Sequence, residues 1–176
     1  MDLDVIIIGS GVIGAAMGFE LSKAGFKTLN IDRNHDAGTG STSASCAIIR
    51  VHYSTLDGSA LAYEGYFDWK NWKDYLGVED DHGIAKFVEC GCLVMETEQN
   101  EFLKKNKSIC STLNIPFEEW DSRIIKKKLP LYNQESFAPA KRIDQDGFGE
   151  TNGSSINSGV FFPTGGYVTD PQLSAH

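Results

Sequence analysis

The sequence is short of cysteine, of basic residues near its start and of long apolar runs. Its 176 residues include only 4 cysteines, and these form neither a CxxC pair nor a cluster with histidine. That spacing gives no support for a zinc site or a disulfide framework. No stretch approaches the roughly 18 apolar residues that span a bilayer, and the acidic start Met1-Asp2-Leu3-Asp4 is unlike a secretory or transit peptide. These absences predict a cytoplasmic protein with reduced thiols, no metal ion and no membrane span.

Positive charge is also scarce along the chain as a whole. Lys and Arg number 16 against 24 Asp and Glu, which gives a net charge of −8. Such an excess repels a polyanion, and no basic stripe with interleaved aromatic residues offsets it, so nucleic acid is not expected as a partner. The only basic run, 126–128, fits a solvated helix end. With 41% hydrophobic and 23% charged residues, the composition is that of a globular protein with a core.

A nucleotide-binding pattern opens the chain. The apolar run 4–8 predicts a β-strand, and GSGVIG at 9–14 predicts a tight turn. A helix is then predicted over Val12–Lys23, followed by a second strand over 27–31 that leads to Asp32. The order of strand, glycine-rich turn, helix, strand and acid is typical of a βαβ unit that binds a dinucleotide.

Each residue type in this pattern has a physical role. Gly9 allows the sharp turn, Gly11 lets the backbone approach a pyrophosphate, and Gly14 lets the helix pack closely on the sheet. The diphosphate would lie at the helix N-terminus, where unpaired N–H groups and the helix dipole attract an anion. Asp32 would accept hydrogen bonds from ribose hydroxyls and repel a 2′-phosphate, so NAD or FAD fits and NADP fits poorly. The alternative is an ordinary βαβ turn with a solvated Asp32.

The sequence after Asp32 departs from a regular strand–helix repeat. Residues 38–45, GTGSTSAS, form a loop rich in small hydroxyl side chains. Their short donors and acceptors favour contact with a polar ligand over the alternative of a flexible linker. An amphipathic helix is predicted next, over 59–76, with Asp57 or Ser59 as its cap, Gly77 as its stop and an aromatic stripe in the core.

The remaining segments are predicted to be short. They are one or two strands over 87–95, a helix over 98–113, an extended stretch over 115–120, a short helix capped by Asp121 or Ser122, loop over 132–158, a strand over 159–162, and a helix from Pro171 capped by Asp170. Because a helix of about six residues is too short to be stable in water, the chain is expected to be the front part of a longer protein.

Five segments together resemble a known family: DVIIIGSGVIG, the Asp32-Arg33 pair, GTGSTSASCAIIR, GCLVM and GVFFPTGGYVTDPQL. They resemble the FAD-dependent D-amino-acid oxidase superfamily, especially the branch with sarcosine oxidases, dimethylglycine dehydrogenases and glycine oxidase. The resemblance implies an α/β fold in which a Rossmann-like FAD-binding domain, with a parallel sheet and a βαβ start, carries an inserted antiparallel α+β substrate domain. The implied boundaries are 1–86 for the first part of the FAD-binding domain, 87–158 for the substrate-domain portion and 159–176 for an incomplete return.

The resemblance also implies the cofactor and its contacts. The glycine turn and helix start would hold the FAD diphosphate, Asp32 the adenosine ribose and Arg33 the edge of the adenine, while the triplet 40–42 would approach the flavin. The implied FAD-binding residues are Gly9, Gly11, Val12, Ile13, Gly14, Asp32, Arg33, Gly40, Ser41 and Thr42. Some relatives attach flavin to a histidine two residues after this triplet. Here that residue is Ala44, which implies non-covalent FAD at the positions visible in this chain.

The implied reaction is oxidation of the C–N bond of a small amine or a sarcosine-like N-alkyl amino acid by hydride transfer to flavin. An IIR segment of monomeric sarcosine oxidase implies that Arg50 binds the substrate carboxylate; the alternative is a surface arginine paired with an acid. His52 and Tyr53 either line the same cavity or are packing residues. Two other functions stay open, namely an NAD-binding dehydrogenase and a non-catalytic nucleotide-binding subunit of a heteromeric amine oxidase.

Overall fold

A computed structural model describes residues 2–97 and 101–176 of the chain. The chain divides into two compact units, each assembled from separate stretches of sequence. Unit 1 consists of Met1–Arg50, Glu64–Cys90 and Gly165–His176, and unit 2 consists of Val51–Tyr63 and Gly91–Thr164. No helix in these described ranges is long and apolar enough to cross a membrane.

Unit 1 begins with the predicted βαβ arrangement. Strand β1 (Val5–Ile8) and strand β2 (Thr28–Ile31) pair in parallel, with Val5 opposite Thr28. Helix α1 (Val12–Lys23) connects them. The strand, turn, helix and strand predicted from the glycine pattern and the apolar runs are therefore confirmed.

A second sheet of unit 1 is antiparallel and has three short strands. Strand β3 (Ile48–Ile49) and strand β4 (Phe87–Val88) both pair with strand β8 (Gly166–Val168), which lies between them. A Cβ atom on Gly166 would lie 2.0 Å from the carbonyl oxygen of Val88. The central strand therefore needs glycine at this position, because any side chain would collide with the neighbouring backbone.

The predicted helix over 59–76 is wrong in its start and in its continuity. Helix α2 (Leu56–Lys70) begins earlier, and helix α3 (Trp72–Leu76) follows it after a break at Asn71. The Asn71 side-chain amide donates to the carbonyl oxygen of Phe67, at 3.0 Å. The backbone N–H of Asn71 donates to the same oxygen at 3.1 Å, so helical hydrogen bonding continues across the break. The predicted stop is confirmed, because Gly77 ends α3 in the left-handed conformation with φ 67°.

The capping role predicted for Asp57 or Ser59 is also wrong, because both residues lie inside α2. The Ser59 hydroxyl is buried in unit 2 and bridges the peptide of Tyr53. It accepts from the Tyr53 N–H at 2.9 Å and donates to the Tyr53 carbonyl oxygen at 3.2 Å. The hydroxyl therefore stabilises the chain that enters the helix.

The aromatic stripe is only partly core. Tyr66 is 3% exposed, whereas Trp69, Trp72 and Tyr75 are half-buried. The Trp72 ring stacks on Trp69 at 4.3 Å and on Tyr75 at 5.4 Å between centroids. Burial and the hydrogen bond that the Tyr75 hydroxyl donates to Glu20, at 2.7 Å, raise the pKa of Tyr75 to about 12. The phenol therefore remains a hydrogen-bond donor at neutral pH.

Unit 2 is built on an antiparallel sheet in which strand β7 (Ser158–Phe162) lies between strand β5 (Cys92–Met95) and strand β6 (Glu118–Asp121). Of the one or two strands predicted over 87–95, the structure has two, β4 and β5, which belong to different sheets. The extended stretch and the strand over 159–162 are confirmed as β6 and β7.

Two helices complete unit 2. Helix α4 (Phe102–Thr112) buries Leu103, Ile109 and Cys110, and burial raises the pKa of the Cys110 thiol. The start predicted at 98–100 lies outside the described residues. Helix α5 (Ser122–Lys128) ends in the basic run, as predicted.

Helix α5 is capped by Asp121, which was one of the two predicted caps. The Oδ1 atom of Asp121 accepts from the N–H of Ile124 at 2.9 Å, and its Oδ2 atom accepts from Arg123 Nη2 at the same distance. The backbone bond, followed by the bond from Arg123, lowers the pKa of Asp121. A lowered pKa means that the carboxylate stabilises the fold above its unfolded pKa of about 3.9, and loses that effect as the pH falls through the native pKa.

We therefore expect Asp121→Ala to lower the melting temperature by a few degrees at neutral pH, because the N–H of Ile124 loses its acceptor. The difference from the unsubstituted protein should shrink as the pH falls through the native pKa of Asp121. Thermal unfolding followed by circular dichroism measures both effects. Asp144→Ala removes a more exposed carboxylate that pairs with Arg142 and should change little. If Asp121→Ala lowered the melting temperature as much in acid as at neutral pH, the ionised cap would have no role in stability.

Candidate functional site

The turn after β1 brings helix and strand into close contact. Gly9 has φ 108°, and its N–H donates to the carbonyl oxygen of Ile31 at 2.7 Å, which ties the turn to the end of β2. A Cβ atom on Gly14 would lie 2.0 Å from the carbonyl oxygen of Gly9. Helix α1 therefore packs on the turn at a distance that only glycine permits, which is the packing that the glycine pattern predicts.

The start of α1 presents unpaired backbone donors. The N–H of Ser10 donates to Asp32 Oδ2 at 2.8 Å, and the N–H of Val12 donates to Thr42 Oγ1 at 3.0 Å. In the part of the chain that the structure describes, three other amides of this turn have no acceptor: those of Gly11, Ile13 and Gly14. Together with the dipole of the helix, such groups form a site for an anion.

The carboxylate of Asp32 is fixed by the backbone on both sides. Its Oδ1 atom accepts from the N–H of Asn34 at 2.8 Å, while its Oδ2 atom accepts from Ser10. These two bonds, of which the one from Asn34 contributes more, lower the pKa of Asp32. The group is therefore ionised at neutral pH, and each oxygen retains capacity to accept from a ligand hydroxyl.

The loop 38–45 is ordered by hydrogen bonds to its surroundings and by bonds within the loop. The N–H of Gly38 donates to the Ser10 carbonyl oxygen at 2.8 Å, and the Ser43 hydroxyl donates to the Gly40 carbonyl oxygen at 3.1 Å. Thr42 is buried, with 9% of its surface exposed. A Cβ atom on Gly11 would lie only 3.1 Å from Thr42 Oγ1. The missing side chain of Gly11 thus makes room for the threonine that caps α1.

These elements enclose a cavity of about 350 Å³ in unit 1. The predicted cofactor residues that line it are Gly9, Gly11, Asp32, Arg33, Gly40, Ser41 and Thr42. Val12, Ile13 and Gly14 do not line it and lie in the first turn of α1. Gly38 and Thr39, from the loop predicted to contact a polar ligand, also line the cavity, and so does Asn34, which sequence reasoning did not single out. The signal for Asn34 was position alone, because it continues the polar segment that follows Asp32.

The residues proposed for substrate are not gathered in this cavity. Arg50 is exposed and follows β3 directly, outside the set of residues that line the cavity. Within unit 2, His52 is 4% exposed and its ring stacks on Phe162 at 4.1 Å. This environment favours the packing interpretation of His52, whereas Tyr53 is 37% exposed. The substrate role of Arg50 stays a prediction.

Known sequences resemble this chain over most of its length. The sequence model of the family described as FAD dependent oxidoreductase matches residues 4–176. An N-methyl-L-tryptophan oxidase of Yersinia pestis (strain Pestoides F) is 29% identical over 136 residues, which cover 75% of this chain and 34% of that protein. The chain therefore spans about a third of the length of the curated relatives it matches.

Solved structures share the fold. The L-proline dehydrogenase of P. horikoshii superposes with a TM-score of 0.75 at 20% sequence identity, over 99% of this chain and 40% of that one. The glycine oxidase of Geobacillus kaustophilus superposes with a TM-score of 0.68 at 21% identity, over 98% of this chain and 42% of that one. The predicted α/β fold class, with a parallel βαβ start and antiparallel sheets, is confirmed.

Proposed function

Because the chain belongs to the family of FAD-dependent oxidoreductases, we propose that its cavity of about 350 Å³ holds the adenosine diphosphate part of FAD. Membership confirms the resemblance that the motifs predict, and FAD is the cofactor of the family. The course of the chain after Asp32 also disfavours the NAD-binding alternative. Instead of entering a second strand–helix unit, it forms the loop 38–45 and then β3 of the antiparallel sheet.

One observation carries the proposal, namely that the unpaired amide of Gly11, at the start of α1, and the fixed, ionised carboxylate of Asp32 belong to residues that line the same cavity. The amides of Gly11, Ile13 and Gly14 would donate to the diphosphate. Asp32 would accept from the two ribose hydroxyls. No side chain at Gly9 or Gly11 obstructs the approach, so the residues present fit a dinucleotide.

The other predicted contacts are assigned by their place around the cavity. Arg33, which follows Asp32, would flank the adenine, and Gly40, Ser41 and Thr42 would extend the site toward the flavin. When bound, FAD supplies a two-electron acceptor for a hydride, while the protein supplies orientation and electrostatics. The side chain of Ala44 has no nucleophilic atom, so no covalent bond to the flavin would form at this position.

We assign to the protein that contains this chain the oxidation of a C–N bond in an amine or amino acid, with an N-alkyl amino acid such as sarcosine as the substrate class. The similar proteins named above include an N-methyl-L-tryptophan oxidase. Arg50 would bind the substrate carboxylate through both arms of its planar guanidinium. Residues 87–158 would contribute to the substrate side and 1–86 with 159–176 to the FAD side.

The proposal predicts that the full-length protein purifies with flavin absorbance and that an N-methyl amino acid bleaches this band under anaerobic conditions. Amines of the same size without a carboxylate serve as the matched panel, and they should bleach the flavin more slowly because they lack the carboxylate that Arg50 would bind. Folded protein that takes up no FAD would overturn the cofactor assignment. Bound FAD that no amine or amino acid in the panel bleaches would favour a nucleotide-binding subunit of a heteromeric enzyme.

A further inference from the structure

The segment 169–175 belongs to a motif that stands out in the sequence, and the proposed function gives it no role. In place of the helix predicted from Pro171, it forms a short 3₁₀ helix over Leu173–Ala175 in unit 1. Asp170 Oδ1 accepts from the N–H of Leu173 at 2.9 Å, and the Ser174 hydroxyl donates to the Pro171 carbonyl oxygen at 2.6 Å. These local bonds fix the backbone on either side of Gln172, whose side chain is half-buried.

The amide of Gln172 bonds the loop that borders the nucleotide cavity. Its Nε2 atom donates to the Ala37 carbonyl oxygen at 3.2 Å and to Thr39 Oγ1 at 3.3 Å, and it lies 3.5 Å from Asp36 Oδ2. The donor and its acceptors are more than 130 residues apart in the chain. One side chain therefore holds both sides of the turn at Gly38.

Close packing accompanies these bonds. Gly38 is buried, has φ 69°, and a Cβ atom on it would lie 3.0 Å from the carbonyl oxygen of Gln172. The N–H of Gly38 donates to the Ser10 carbonyl oxygen at 2.8 Å, and the N–H of Ser10 donates to Asp32 Oδ2, also at 2.8 Å. A continuous series of contacts thus leads from Gln172 through Gly38 and Ser10 to the carboxylate of Asp32.

We propose that Gln172 is a positioning residue for the cofactor. This role rests on the FAD site proposed above. Gln172 does not line the cavity. It holds the loop at Gly38 against the turn at Ser10, and so keeps the carboxylate of Asp32 in place for the adenosine ribose. The ligand half that depends on Gln172 is therefore the adenosine diphosphate, which ADP-ribose shares with FAD.

The test is Gln172→Met in the full-length protein, a change that keeps the length of the side chain and removes its donors. We expect the dissociation constants of FAD and ADP-ribose to rise about tenfold each, because two hydrogen bonds are lost from the loop. Calorimetry gives both constants, and thermal unfolding of the apoprotein reports on the fold. Gln145→Met changes an exposed glutamine of unit 2 in the same way and should leave both constants unchanged.

A second variant, Gln172→Glu, gives a signature that a purely structural role would not. The introduced carboxylate would face Asp36, whose Oδ1 atom lies 3.4 Å from His176 Nε2. The glutamate side chain could donate a hydrogen bond only when protonated. Its FAD affinity relative to that of the unsubstituted protein should therefore recover as the pH is lowered. Unsubstituted protein that fails to bind FAD overturns the proposed function. Normal binding by that protein, with Gln172→Met within twofold of it, overturns the role of Gln172 alone.

Discussion

Replacing Gly14 by alanine is expected to weaken FAD binding by about a hundredfold and to lower the melting temperature. The added Cβ atom would lie 2.0 Å from the carbonyl oxygen and 2.9 Å from the carbonyl carbon of Gly9. Both contacts are with backbone that cannot move freely, because the N–H of Gly9 is bonded to Ile31 at the end of β2. Helix α1 must therefore shift, and its unpaired amides shift with it. Quenching of flavin fluorescence measures the affinity.

The matched control is Gly65→Ala, which adds the same atom to another helical glycine. Apart from its chain neighbours and the nearby backbone of α2, no atom lies within 4 Å of a Cβ at Gly65. Alanine is favoured over glycine in a helix by roughly 0.5–1 kcal/mol, so this variant should be slightly more stable and bind FAD normally. If Gly14→Ala matched this control in affinity and stability, the close contact at Gly9 would not be a requirement of the site.

Asp32→Asn is expected to weaken FAD binding by about a hundredfold, because the ribose loses charge-assisted hydrogen bonds. Both carboxylate oxygens accept a backbone N–H, from Asn34 and from Ser10. An asparagine can offer only one such oxygen, so its NH₂ group would face one of these two donors. Isothermal titration with FAD measures the loss. Asp144→Asn, at an exposed carboxylate paired with Arg142, should bind as the unsubstituted protein does.

The pH dependence of FAD binding distinguishes the contribution of the negative charge of Asp32 from the contribution of its side-chain shape. The backbone bonds from Asn34 and Ser10 lower the pKa of Asp32, so its contribution to binding should be constant through neutral pH. It should decline only as the pH falls below the ordinary value of about 3.9 and through the lowered native pKa. Asp32→Asn should lack this acid limb. An equal decline in both proteins would assign the titration to another group.

Local patterns predicted the parts of the molecule whose structure is determined within a few residues of sequence. Helix α1 has the predicted bounds, because the glycines of the turn and Gly25 delimit it. The cap of α5 by Asp121 is likewise a contact with a residue three positions away. The pairing of β1 with β2 follows from the short crossover through one helix.

Long-range contacts could not be predicted in the same way. The pattern gave no sign that β4 and β5, separated by three residues, belong to different sheets. Nor could it reveal the bonds between Gln172 and the loop at Gly38, since glutamine is common on any surface. The regular aromatic periodicity likewise gave no sign of the break between α2 and α3 at Asn71. Propensity and spacing record none of these interactions.

The position of β8 in its sheet has a consequence for biosynthesis. This strand lies between β3 and β4, yet the ribosome makes it more than 75 residues after β4. Strands β3 and β4 cannot pair with β8 until it has been synthesised, whereas the βαβ unit at the start can form early from local contacts. The loop at Gly38 gains its hydrogen bonds to Gln172 only after this strand has been translated, so a nascent chain stalled before Gly165 should capture cofactor poorly.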